Sequence, residues 1–120
     1  MKTKIIIVAL AMMFFPGAAG SLSAQELGPQ FKKVSEGIYV YAAVLNDANS
    51  TIILTQDGVV LIDTGQSPKD SHVVMAAVKK LTAEPVRIII HTEPHPDHPM
   101  GEFVFSPPVV VSAHAGTTAS

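Results

Sequence analysis

Runs of β-branched and apolar residues, separated by turn-forming residues, occupy the middle of this 120-residue chain. They predict five strands, at Ile38–Leu45, Thr51–Thr55, Val59–Asp63, Val86–Ile90 and Val109–Val111. The second and third strands are joined by Gln56-Asp57-Gly58, which is typical of a hairpin turn. Because Val59 to Ile62 is continuously apolar, we expect both faces of that strand to be covered. The run Val86–Ile90 is likewise expected to be a buried strand.

One segment has helical spacing instead. A helix is predicted from Ser67 to Leu81, with Ser67 as its N-cap and Pro68 at its first position. Five apolar residues would form its inward face: Val73, Val74, Ala77, Val78 and Leu81. His72 lies outside this face and is expected to be a surface histidine. A short helical turn is also predicted at Glu102–Phe105, with Phe103 and Phe105 packed inward, whereas Gln25–Lys33 is expected to be a polar lead-in.

The N-terminus has the pattern of a secretory signal peptide. Lys2 and Lys4 provide the positive start, and Ile5–Phe15 provides an apolar core that is too short for a membrane span of about 20 residues. Small residues around Ala24 predict cleavage after that residue, with cleavage after Ser23 as the neighbouring alternative. We therefore expect residues 1–24 to be removed and the protein to be secreted or periplasmic. An uncleaved membrane anchor is the competing interpretation.

Composition excludes several classes of function. The formal net charge of −2 and the absence of a basic run provide no electrostatic surface for nucleic acid. There are no cysteines, so any metal site must use nitrogen and oxygen ligands. A hydrophobic content of 48% with 15% charged residues indicates a globular chain behind an apolar leader.

The segment T-E-P-H-P-D-H-P-M-G, which follows the predicted strand Val86–Ile90, has the residue types of a metal site. Imidazole and carboxylate groups are ligands of zinc and its first-row neighbours. In an extended segment Glu93, His95 and Asp97 would point to one side, and His98 toward a second position. Three prolines would stiffen the loop. The alternative is a polar loop with incidental histidines. His91 is a candidate spare ligand, although its spacing from His95 fits no converging face of a strand.

This segment resembles the T-H-x-H-x-D-H-x-G-G motif of the metallo-β-lactamase superfamily. Five residues match the motif in place: Thr92, His95, Asp97, His98 and Gly101. The upstream run from Asn49 to Gly65 resembles the paired strands that open that fold and ends in its Asp-Thr-Gly. Two residues depart from the pattern, because Glu93 stands at the first histidine of the motif and Met100 at the first of its two glycines.

The resemblance implies an α/β fold, namely the first half of an αββα sandwich with a mixed β-sheet and a packed helix. Residues 25–120 would then be the N-terminal portion of such a domain, truncated at Ser120. Asp63 could be a metal ligand or a structural brace, and the resemblance favours a brace whose carboxylate accepts hydrogen bonds from the backbone of the metal loop. Two zinc ions per full-length chain are implied, the first held by Glu93 and His95, the second by Asp97 and His98, with further ligands from downstream. No role is carried onto His114.

The implied activity is hydrolysis, by a metal-activated water, of an ester, amide, thioester, lactam or phosphoester in a small-molecule substrate. Asp97 is expected to be essential for catalysis as a ligand of the second metal. No nucleic acid partner is expected, and no membrane association after leader cleavage. Two alternatives remain open: a non-catalytic metal-binding relative in which Glu93 marks a degenerate site, and a structural protein that binds no metal.

Overall fold

The computed structural model describes residues 22–44, 48–105 and 110–113. The elements in chain order are α1 (Ala24–Leu27), β1 (Phe31–Ser35), β2 (Ile38–Tyr41), β3 (Ser50–Thr55), β4 (Gly58–Ile62), α2 (Pro68–Leu81), β5 (Val86–His91), a 3₁₀ helix (Glu102–Phe105) and β6 (Val110–Ala113). Most of the leader, residues 1–21, and His114 lie outside the described residues. No helix in the described part of the chain is both long and apolar enough to cross a membrane.

The strands form one mixed sheet in the order β1-β2-β3-β4-β5-β6. The first four are antiparallel neighbours, whereas β4 pairs with β5, and β5 with β6, in parallel. Helix α2 makes the crossover from β4 to β5, because parallel neighbours cannot be joined by a tight turn. The predicted mixed α/β architecture with one packed helix is confirmed. The carboxyl ends of β4 and β5 consequently lie side by side at one edge of the sheet.

The core lies between one face of the sheet and α2. Its fully buried members include Ile52, Leu61, Val74 and Ile89, each at most 1% exposed. The predicted helix is confirmed, and the Ser67 hydroxyl caps it by accepting from the Asp70 amide. These contacts hold α2 and the two parallel strands as one unit beneath the site.

The opposite face of the sheet is less covered than predicted. In β5 the side chains of Ile88 and Ile90 are 37% and 38% exposed, so this strand is not buried on both faces. In β4, Val60 and Ile62 are only partly buried, so the expectation of two covered faces is wrong there as well. The physical reason is that an apolar run does not itself provide a second layer, and α2 packs on one face alone.

Several local predictions also need correction. The lead-in forms α1 and β1, because Leu27 and Phe31 join the core. Strand β2 ends at Tyr41, short of the predicted Leu45. On α2, Val73 is exposed and Ser71 is fully buried, since Ser71 finds acceptors for its hydroxyl beneath the site. In the predicted turn at Glu102, Phe105 is buried but Phe103 is 59% exposed.

Candidate functional site

Two loops meet at the carboxyl ends of β4 and β5. The first is Asp63-Thr64-Gly65 after β4, and the second runs from Thr92 to Gly101 after β5. The Thr64 amide donates to the carbonyl oxygen of His98 at 2.7 Å, and the Gly101 amide donates to that of Gly65 at 2.8 Å. The loop with the candidate ligands is therefore fastened to the end of the neighbouring strand by backbone hydrogen bonds.

Gly101 permits this close approach. A Cβ atom at this position would overlap the Ser71 hydroxyl oxygen and the Thr64 carbonyl oxygen. The same Ser71 hydroxyl, fully buried on α2, donates to the Thr64 carbonyl at 2.6 Å. Since the obstacle includes backbone, a side chain at 101 would require the two loops to separate.

Asp63 braces the second loop, as the resemblance implied. Its Oδ1 accepts from the Thr92 amide at 2.9 Å, and its Oδ2 accepts from the Thr92 hydroxyl at 2.6 Å. Oδ2 also lies 2.9 Å from Nδ1 of His98. The backbone of Asp63 has φ = 55°, a left-handed conformation that Asp and Asn adopt more readily than most residues. This turn directs the carboxylate of the buried Asp63 side chain, which is 7% exposed, toward the end of the neighbouring strand.

His98 is oriented by that carboxylate. A ring that donates its Nδ1–H to Asp63 leaves Nε2 available as a ligand or as a second proton site. Burial lowers the pKa of His98, but the hydrogen bond to Asp63 and the negative charges of Asp63, Glu93 and Asp97 outweigh it, so the pKa lies above 6.5. The same charges would attract any cation that approaches Nε2.

Glu93 lies between the two histidines of the motif. Its Oε2 contacts Nδ1 of His95, and its Oε1 lies 2.9 Å from Nε2 of His98. Asp97 is farther from His98, with Oδ2 at 3.7 Å from Nε2. The imidazole of His95 is 73% exposed, in contrast to that of His98, which is 17% exposed.

The prediction that His98 points away from Glu93 is wrong. It assumed an extended segment, but the loop coils into turns, in which the His98 amide donates to the His95 carbonyl and the Met100 amide to that of Pro96. Alternation between two sides applies only to strands. The structure therefore brings Glu93, His95, Asp97 and His98 into one cluster, with Glu93 at its centre.

The donor chemistry of this cluster suits a first-row metal, because it offers imidazole nitrogens and carboxylate oxygens. However, among residues 22–44, 48–105 and 110–113, no group of three or more such side chains is arranged to hold a metal ion. The carboxylates of Glu93 and Asp97 face imidazole nitrogens rather than a shared point. Assignment of these four residues as metal ligands stays a prediction.

Sequence reasoning did not identify the pair formed by His91 and Glu102. His91 Nε2 lies 2.8 Å from Glu102 Oε2, and its ring is only 5% exposed. Its buried Nδ1 has no hydrogen-bond partner in the described part of the chain and lies 4.0 Å from Oδ1 of Asp63. The sequence did contain a signal for the burial of His91. It lies two residues after Ile89, so both side chains point to the buried face of β5.

Comparisons with known proteins agree with this architecture. A family model described as the metallo-beta-lactamase superfamily matches residues 44–101. A linear primary-alkylsulfatase from Pseudomonas sp. (strain ATCC 19151) is 35% identical over 54 residues, which are 45% of this chain and 10% of that protein. The chain thus spans about a tenth of the length of this curated relative.

Solved structures share the fold. The stereoselective inverting sec-alkylsulfatase Pisa1 from Pseudomonas sp. superposes with a TM-score of 0.56 at 25% identity, over 63% of this chain and 12% of that one. The metallo-beta-lactamase FIM-1 from Pseudomonas aeruginosa, solved in a mono-zinc form, has a TM-score of 0.61 at 20% identity, over 72% of this chain and 42% of that one. The described part of this chain therefore has the fold of the metallo-β-lactamase superfamily.

Proposed function

We propose that this protein is an exported, metal-dependent hydrolase that acts on a small-molecule ester or a related acyl, phosphoryl or sulfuryl compound. One observation carries the proposal: imidazole and carboxylate side chains cluster at the adjoining carboxyl ends of two parallel strands. In open α/β sheets, ligands bind outside the carboxyl ends of the strands. The hydrogen bonds from Asp63 to Thr92 and His98 support it, because they hold the cluster in place before any ligand arrives.

The proposed ligands in this chain are His95, Asp97 and His98, with Glu93 beside them. Bound zinc would supply Lewis acidity and a water of lowered pKa, near 7. Asp63 accepts from Nδ1 of His98, so Nε2, which faces Glu93 Oε1 at 2.9 Å, is the ring nitrogen that would bind a metal. The acidic side chains around that ring also favour a divalent cation over an anion. Additional ligands would be needed, because a catalytic zinc takes three protein ligands and one open position.

Within this range of substrates, sulfate esters of alkyl alcohols are favoured by the likeness to the linear primary-alkylsulfatase. Lactams and thioesters are the other compounds to assay, given the fold shared with metallo-beta-lactamases. The decisive assay uses the intact protein with added zinc and a panel of alkyl sulfate, simple ester, thioester, phosphoester and lactam substrates.

The variant Asp97→Ala tests the site itself. Loss of a ligand should remove one of two metals and nearly all hydrolysis, measured by metal analysis and by turnover. His72→Ala, at an exposed position of α2, is the matched control and should retain both. Full activity with unchanged metal content in Asp97→Ala would refute the assignment.

Export is tested separately, by mass spectrometry of the mature N-terminus. Cleavage near Ala24 is expected from the positive start, the apolar core and the small residues that follow. An intact Met1 in protein from the cytosol would contradict export without affecting the hydrolase proposal.

A non-catalytic relative is the second candidate. It is favoured by Glu93, which stands at the first histidine position of the motif. Stoichiometric zinc without turnover on any substrate in the panel would support this candidate. Protein that binds no zinc would instead support a purely structural role.

A further inference from the structure

His91 and Glu102 flank the loop that carries the candidate metal ligands. His91 is the last residue of β5, directly before Thr92, and Glu102 is the first residue of the 3₁₀ helix, directly after Gly101. Their side chains meet across the base of the loop, where His91 Nε2 lies 2.8 Å from Glu102 Oε2. The pair therefore joins the two ends of the loop directly.

A histidine is a costly residue at position 91. Its ring is 5% exposed and lies on the same face of β5 as Ile89, where an apolar side chain would pack without polar groups to satisfy. Nδ1 of this ring has no hydrogen-bond partner among the described residues, and Asp63 Oδ1 is 4.0 Å away. A buried ring with only one of its nitrogens paired destabilises the fold, so we look for a role other than packing.

The contact with Glu102 provides that role. An ionised carboxylate can only accept hydrogen bonds, so Nε2 of His91 carries a proton and donates to Glu102. The Glu102 side chain is 46% exposed and reaches the buried ring from the surface, whereas Phe105, at the other end of the same 3₁₀ helix, is buried in the core. This helix is thus held by the core at one end and by β5 at the other.

We propose that His91 and Glu102 are positioning residues, which form a clasp that closes the base of the loop and keeps the candidate ligands ordered before a metal arrives. This inference rests on the proposed metal-dependent function. The apparent affinity for a metal is reduced by the fraction of molecules in which the loop is not ready to bind. A clasp that raises the ordered fraction therefore strengthens metal binding without contributing a ligand.

Glu102→Ala removes the acceptor at a partly exposed position, which the fold should tolerate. Amide hydrogen exchange of the intact, metal-free protein then measures local opening. The amides of His98 and Gly101, which form hydrogen bonds within the site, should exchange about 3- to 10-fold faster, because one charge-assisted hydrogen bond with a half-exposed partner is lost. Amides in the centre of β4 and β5 should keep their protection.

Conservative substitutions test the hydrogen bond itself. Glu102→Gln retains an acceptor for Nε2–H and His91→Gln retains a donor, so each should keep most of the protection of the loop. His91→Met fills the buried position without a donor and should open the loop as Glu102→Ala does. If the two residues act as a unit, His91→Met combined with Glu102→Ala should open the loop no further than either substitution alone.

Zinc titration by calorimetry measures the consequence for the site. The zinc affinity of Glu102→Ala should fall by no more than the factor by which loop exchange increases, at unchanged stoichiometry, because only the population of the ordered loop has changed. Glu84→Ala removes an exposed carboxylate in the turn before β5, and this control should change neither exchange nor affinity.

Equal acceleration of exchange in the loop and in the central strands would overturn the inference, because the pair would then stabilise the fold in general. Unchanged loop exchange in Glu102→Ala would overturn it too, and loss of a bound zinc without faster exchange would show that Glu102 is a ligand instead. A parent protein that binds no zinc would refute the proposed function. The exchange comparison in metal-free protein would still decide whether the pair closes the loop.

Discussion

Replacing Asp63 by Asn removes the negative charge of this side chain and keeps its shape, so the substitution tests how much the charge contributes to holding the second loop. The two side chains are nearly the same size, and Asn tolerates the left-handed conformation at φ = 55° as well as Asp does. The amide oxygen can continue to accept from the Thr92 amide in place of Oδ1. The amide nitrogen, in contrast, takes the place of Oδ2 and faces two groups that both donated to it, the Thr92 hydroxyl and His98 Nδ1.

The expected cost follows from those two contacts. The Thr92 hydroxyl can rotate and become an acceptor, but His98 can accept at Nδ1 only if its proton moves to Nε2. Hydrogen bonds to charged groups contribute about 1.5–3 kcal/mol each, and one neutral bond at about 1 kcal/mol is regained. We therefore expect the free energy of unfolding to fall by about 2–5 kcal/mol. The displaced proton should also weaken zinc binding by about 10- to 100-fold.

Urea denaturation measures the loss of stability, which should appear as a lower midpoint concentration with an unchanged m-value. Nitrogen NMR of His98 measures the displacement of the proton from Nδ1 to Nε2. Asp57→Asn, in the exposed hairpin turn, is the matched control and should change the free energy of unfolding by no more than about 0.5 kcal/mol. If Asp63→Asn lowered the free energy of unfolding by less than about 1 kcal/mol and left the His98 tautomer unchanged, the proposed role of Asp63 in holding the second loop would be refuted.

Three further predictions concern the fold around the site. Gly101→Ala should lower the free energy of unfolding by about 1–3 kcal/mol in thermal or urea unfolding, because the added Cβ overlaps the facing loop. Met100→Ala, at a 53%-exposed position, is the control and should be nearly neutral. Equal effects of the two substitutions would contradict the close approach of the loops. Ile89→Ala should lower the free energy of unfolding by about 2–5 kcal/mol, and Ile88→Ala by about 1 kcal/mol or less, because only Ile89 is fully buried. If urea denaturation gave the reverse order, the assignment of the two sheet faces would be wrong. Because the pKa of His98 is raised on folding, its protonation stabilises the metal-free protein fully below the unfolded pKa of about 6.5, and this stabilisation is lost as the pH rises through the folded pKa. Unfolding midpoints measured with chelator across this range should show the trend in the parent and lose it in His98→Gln.

Local sequence patterns were sufficient to predict most of the helices and strands. Helix α2 was predicted within one residue of its limits, because Ser67-Pro68 is a strong start signal and Val74, Ala77 and Val78 repeat at helical spacing. The hairpin of β3 and β4 was predicted from two apolar runs around a short turn. These are properties of neighbouring residues, and their energies depend little on the remainder of the chain.

The missed features depend on partners outside the helix or strand in which each residue lies. Ser71 is buried because the Thr64 carbonyl, seven residues earlier, accepts its hydroxyl hydrogen. Phe105 is buried because it joins the core that α2 helps to form, whereas Phe103 lies outside that core and is exposed. An apolar side chain has the same local preference in both places, so sequence alone could not separate them.

For the site, the sequence by itself determined which chemical groups are present and that they follow a strand. The motif residues from Thr92 to Gly101 are enough to predict a cluster of nitrogen and oxygen donors at a strand end. Only the tertiary structure decided how those donors face one another. The coil of the loop turns Glu93 between His95 and His98, and the pairing of β4 with β5 places Asp63 on the Nδ1 of His98. Donor chemistry is a property of the residues, whereas ring orientation and tautomer depend on hydrogen bonds that reach 35 positions along the chain.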